Sequence, residues 1–145
     1  MTKSKYTGYF RKVVRTFLVL CAVPLVFLLR LTSCFVPIKL AEIRSGQIGH
    51  FVFDTEYYLS EKEIEDKKTL DFFYYNYKYE THRLPPNEQW DKMVRRHFKI
   101  HPLVAHFYRV NKIIPGGEAH LIKMNLENFK SRDPNGVLSR SDTHI

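Results

Sequence analysis

The first 41 positions contain no acidic residue, the whole chain contains two cysteines, and no uncharged run exceeds 14 residues. Each scarcity excludes something. Cys21 and Cys34 lie in or beside that run (residues 16–29, TFLVLCAVPLVFLL), so no disulfide framework can staple the remainder, a usage that fits a reducing compartment. A 14-residue helix reaches about 21 Å against a hydrocarbon core of about 30 Å, so the run alone is too short to cross a bilayer. The missing acids localise the net charge of +8: Lys3, Lys5, Arg11, Lys12, Arg15, Arg30 and Lys39 precede the first acid, leaving 16 basic against 15 acidic side chains in the rest. With its charge balanced, that remainder has no basic face for nucleic acid.

Several catalytic signatures are also missing. There is no G-x-S-x-G, no Ser/His/Asp order and no cysteine nucleophile outside the apolar segment, which argues against a self-contained hydrolase. No Walker lysine follows a glycine-rich loop. His97 and His101, four apart in HFKIH, lack a third ligand at a useful spacing, so neither metal nor cofactor is expected.

What is present begins with the basic arm and the apolar segment, residues 1–36. Lysine and arginine beside apolar residues match an anionic membrane surface, each worth about 1 kcal/mol near the lipid. Extending the segment through residues 31–36 gives length for a span but encloses Arg30, which would have to snorkel to a headgroup, and Pro24 would kink the helix. A retained membrane anchor is the leading reading. The stretch LTSC (residues 31–34) also resembles a bacterial lipobox, and a cleaved signal or an apolar helix buried in protein stay open.

Residues 37–145 alternate between strand and helix patterns. Residues 36–43, VPIKLAEI, read as a strand with Ile38, Leu40 and Glu42 on one face. Arg44, Ser45 and Gly46 break it, and Ile48, Phe51, Val52, Thr55 and Leu59 then form a helical stripe ending near Lys62. TLDFFYYNYKY (69–79) is rich in β-favouring aromatics and predicts a central strand covered on both faces. Trp90, Met93, Val94, His97 and Phe98 predict a helix from about Asn87 that stops before Pro102, and a short helix is expected over 103–113. PGG (115–117) is a turn and AHLIKM a further strand candidate. The alternation predicts a parallel α/β sheet of two or three strands, incomplete by itself.

The turn RSGQIGH (44–50) concentrates the chemistry. It would lie at the carboxyl end of the first strand, where the next helix presents amides and a positive dipole end to an anion. Gly46 and Gly49 would admit close approach of a ligand to the backbone, and His50 could donate a hydrogen bond. The competing reading is a tight turn that merely needs glycine. Asp54 and Glu56, two apart on one helix, point to different sides and cannot act as a pair.

IGHFVFDTEYYL, the aromatic strand and PNEQWDKMVRRHFKI together resemble the amino-terminal portion of a bacterial family of membrane-associated glycosyltransferases of the surface-polysaccharide type. That family carries an RIGHL-type turn followed by a P-E-x-x-L helix. Here the turn is Gln47-Ile48-Gly49-His50-Phe51, with Gln47 at the usual arginine and Thr55 at the usual proline, and the second motif begins at Asn87. The resemblance implies an incomplete Rossmann-like first domain of the GT-B type, truncated before the donor-gripping half. It also implies a nucleotide-sugar donor, a lipid-linked or glycan acceptor, and a place on the cytoplasmic face of the bacterial inner membrane. Gly46, Gly49, His50, Glu56 and Asn87 would then bind substrate.

Overall fold

The structure is a computed structural model that describes residues 3–66, 68–76, 85–122, 124 and 145, with backbone alone at 3–12 and 15. Among the described residues, four short strands, β1 (Ile38–Ile43), β2 (Leu70–Tyr75), β3 (Lys99–Ile100) and β4 (Leu121–Ile122), form one sheet in the order β3-β2-β1-β4. All neighbours are parallel, with Ile38 opposite Leu70, Glu42 opposite Tyr74, Leu40 opposite Leu121 and Phe72 opposite Lys99. The expected parallel α/β class holds. The sheet is larger than expected because Lys99–Ile100, two residues directly after a helix, add an edge that no run of alternating residues announces.

Helices α1 (Lys3–Thr32), α2 (Ile48–Ile64), α3 (Glu88–His97) and α4 (Val104–Ile113) cover both faces. On one face, Phe51 and Tyr58 of α2 and Val94 of α3, with Phe98 just beyond it, close over Ala41, Ile43 and Phe73. Phe73 meets Phe98 edge-on at 4.8 Å and Tyr58 at 5.2 Å, geometries that add to the roughly 1.5–3 kcal/mol from burying each large side chain. On the other face, Val104, Phe107 and Tyr108 of α4, with Leu29 of α1, pack on Leu40, Phe72 and Tyr74. The aromatic strand is covered on both faces, as its composition implies. Its predicted extension past Asn76 and the polar tail before Ile145 lie outside the described residues.

The inward stripe of α2 differs from the expected one. Phe51, Asp54, Thr55 and Tyr58 point to the core, Val52 and Leu59 are half-buried, and Ile48 is exposed. An aspartate thus takes a core position that the apolar pattern had passed over.

Instead of standing apart as an anchor, α1 packs on α4 through Ala22, Val26 and Val110. Arg30 does not snorkel away from the protein. Its Nε donates to Asn111 Oδ1 at 2.9 Å, and its guanidinium donates to the carbonyls of Pro115, Ile114 and Asn111 at 2.8, 3.1 and 3.3 Å. These include the last carbonyls of α4, which have no intrahelical partners, so Arg30 acts as a capping cation from another helix. Among the described residues, no helix is long and apolar enough to cross a membrane.

Candidate functional site

The sheet order makes β1 the strand from which the chain departs both ways: through α2 and α3 toward β2 and β3, then back through α4 to β4. In open α/β sheets the crevice beside such a strand, outside its carboxyl end, is where ligands bind. Residues 44–50 occupy that place. Ser45 N donates to Ile43 O at 3.0 Å, turning the chain, and Phe51 N donates to Gln47 O at 2.9 Å, starting α2. Gln47 is extended and supplies no side-chain cap, which leaves the first amides of α2 without that internal acceptor.

Neither Gly46 nor Gly49 has a positive φ, so left-handed backbone is not the reason for either glycine. A Cβ at Gly49 would meet nothing within 4 Å. Open space therefore lies beside that position at the start of the helix, and neither close packing nor a strained bend calls for the glycine. His50 lies one turn before Asp54, with Nδ1 3.9 Å from Asp54 Oδ2. Asp54 is buried, and neither of its carboxylate oxygens has a hydrogen-bond partner among the described residues; the hydroxyl of fully buried Ser45 is likewise unpartnered. Burial pushes the Asp54 carboxyl up to about 7, and the positive charge of Arg44 only partly opposes it. A carboxyl of that kind exchanges a proton near neutral pH.

The α4 face of the same sheet end carries a second polar group. Glu42 accepts from Tyr74 Oη at 2.5 Å and from Asn76 Nδ2 at 2.6 Å, and Tyr108 lies against the Tyr74 ring at 5.4 Å. Burial, then the hydrogen bond to Glu42 and its charge, hold the Tyr74 hydroxyl well above the usual phenol range, so it stays a donor. Tyr108 is raised by burial and by Glu42, with Arg44 opposing. The α4 face of the carboxyl end therefore holds protonated phenols beside a carboxylate.

Of the five expected site residues, Gly46, Gly49 and His50 come together at this turn. Glu56 lies further along α2, where its Oε1 accepts from Ile145 N at 3.0 Å. Asn87 has a structural duty: its side chain accepts from Trp90 N at 2.9 Å and caps α3. Asn87→Ala should cost about 1 kcal/mol in chemical denaturation, the usual loss of such a cap. Ser45, Asp54 and the Glu42–Tyr74–Asn76 group were not anticipated. The parallel register pairs Glu42 with Tyr74, a contact with no local sequence signal. Asp54 was within reach of the pattern, because positions 51, 54, 55 and 58 share one helical face.

A cavity of about 280 Å³ lies at the opposite, amino end of the sheet, lined by Lys39, Tyr58, Glu61, Lys62, Thr69 and Leu121 among others. Its cations are engaged within the protein: Lys62 pairs with Asp71, which also accepts from Tyr58 and Thr69, and Lys39 donates to Ala119 O. Among the described residues no three His, Cys, Asp or Glu side chains gather as a metal site would require. The chain matches no family model, no curated protein and no solved structure.

Proposed function

We propose that this chain supplies the acceptor-side, Rossmann-like unit of a membrane-associated glycosyltransferase, one that moves a sugar from a nucleotide-sugar donor to a membrane-associated glycan precursor. The observation that carries the reading is the position of residues 44–50 outside the carboxyl end of β1, in a sheet ordered 3-2-1-4. The resemblance of the IGH turn to the glycosyltransferase family supports it, as does the half-buried imidazole of His50 beside the buried carboxyl of Asp54. A carbohydrate offers many hydroxyls, and such groups bind them without a metal. In this reading Gly49 leaves room for the sugar, half-buried His50 contacts it with the Asp54 carboxyl behind the imidazole, and Glu56 and Asn87 support the helices.

The exported-lipoprotein alternative is disfavoured by a specific contact: a chain beginning at Cys34 would lose Arg30 from the α4 terminus and Val26 from its core. The test is binding of a panel of lipid-linked glycan acceptors to the protein, because the proposed unit is the acceptor side. Gly49→Trp adds bulk at a position where a Cβ meets nothing within 4 Å. Acceptor affinity should fall at least about tenfold, equivalent to about 1.4 kcal/mol, with the unfolding midpoint unchanged. Absence of binding to every acceptor, or unchanged affinity in Gly49→Trp, would defeat the proposal.

A further inference from the structure

Helix α1 is apolar on two sides, and the fold uses one. Val19, Ala22, Val23, Val26 and Leu29 face the protein. Val13, Phe17, Leu20, Phe27, Leu28 and Leu31 are exposed, with Phe17 and Leu20 at 64% and 65% of their full accessibility. At 100° per residue these positions fall on one continuous side of the helix. Phe35, 89% exposed, follows just beyond the helix end. Scattered apolar residues on a surface need no explanation, but a continuous stripe of large ones does.

Charge indicates what covers the stripe. The sequence leading into it carries Lys3, Lys5, Arg11, Lys12 and Arg15 and no acid, the complement of an anionic surface. A second copy of this chain, equally free of acids over its first 41 residues, would offer no negative charge along this segment to meet the basic arm. Packing also fixes the attitude of the helix. Arg30 lies at the carboxyl end of α4 while residues 19–26 of α1 pack with Phe107, Val110 and Ile114, so the two helices run side by side in the same direction. A 10-residue α4 is about 15 Å long and accompanies only about ten residues of α1. The basic half of α1 therefore continues past the start of α4, toward the end of the sheet that carries residues 44–50.

We infer that α1 docks in the plane of an anionic lipid surface through its Phe17–Leu20–Phe27–Leu28–Leu31 side, holding the α4 face of the sheet toward the membrane. Both chain ends stay on one side of the bilayer, and the turn at 44–50 lies at the end of the sheet toward which the basic arm extends. This inference does not depend on the sugar-transfer reading.

Flotation of the full chain with phosphatidylglycerol-containing vesicles, compared with pure phosphatidylcholine vesicles, tests it. Binding is expected on the anionic vesicles, weakened by salt, and at least about tenfold weaker in Phe17→Glu and Leu20→Glu, whose thermal unfolding should match the parent because both sites are exposed. Protease added outside should remove tags from both termini of the bound protein. Equal binding to neutral vesicles, unchanged binding of the glutamate variants, protection of one terminus, or a dimer that the variants dissociate without any vesicle binding would each overturn the inference.

Discussion

Gly117→Ala is expected to abolish stable folding of the α1–α4 side of the protein. A Cβ at Gly117 would stand 1.7 Å from the backbone oxygen of Asn111 and 2.7 Å from the Arg30 guanidinium. A main-chain carbonyl cannot rotate aside as a side chain can. Asn111 is also fully buried and donates through Nδ2 to Gly117 O at 2.8 Å, so the two segments cannot separate without breaking that bond. The displaced carbonyl would carry away the acceptors that hold Arg30, and with them the link between α1 and α4. We expect a loss above about 4 kcal/mol, a large share of the stability of a domain this size.

The neighbouring glycine is an internal control. Gly116 has φ of 76° but open space around its Cβ position. Gly116→Ala should therefore cost only the left-handed backbone penalty, roughly 1–2 kcal/mol. Chemical denaturation followed by circular dichroism separates the two. Similar midpoints for both variants would show that the Gly117 approach is not as close as described.

The second large effect is a pH dependence traced to Asp54. Its carboxyl titrates near 3.8 in the unfolded chain and is pushed up to about 7 by burial in the folded one. Below about pH 4 it is protonated in both states and leaves stability unaffected. Between about pH 4 and 7 the unfolded chain ionises while the folded chain keeps its proton, so stability falls as pH rises. Above about pH 7 both are ionised and the penalty is constant, at most about 4 kcal/mol. Asp54→Asn removes the ionisation while keeping the shape. The stability lost by the parent between pH 4 and 8 should largely disappear in the variant. A parent profile no steeper than that of Asp54→Asn would mean the carboxyl is solvated or paired.

The legible parts of the fold were those with local signals. The aromatic residues of β2, the helical spacing of α3 and the alternation of strand and helix follow from side-chain type and period alone. What stayed hidden depends on the chain meeting itself. Lys99–Ile100 become a strand only because Phe72 and Phe73 offer an edge. Arg30 looks like a fault in an apolar run until α4 ends beside it. Asn87 was expected to bind substrate through the resemblance of its motif, and its bond to Trp90 N, which caps α3, depends on where the helix begins. At the site, the turn at 44–50 was legible as a break between strand and helix. Its buried lining was not, since Ser45 and Asp54 are made unusual by what surrounds them rather than by their spacing.

The proposed carbohydrate partner would meet the carboxyl end of the sheet. Amide chemical-shift mapping of the isotope-labelled chain, titrated with nucleotide sugars and then with acceptor glycans, asks this directly. Perturbations centred on residues 44–50 and Asp54 are the predicted result. Perturbations centred instead on Tyr58, Lys62 and Thr69 at the amino-end cavity, or none with any sugar, would contradict it.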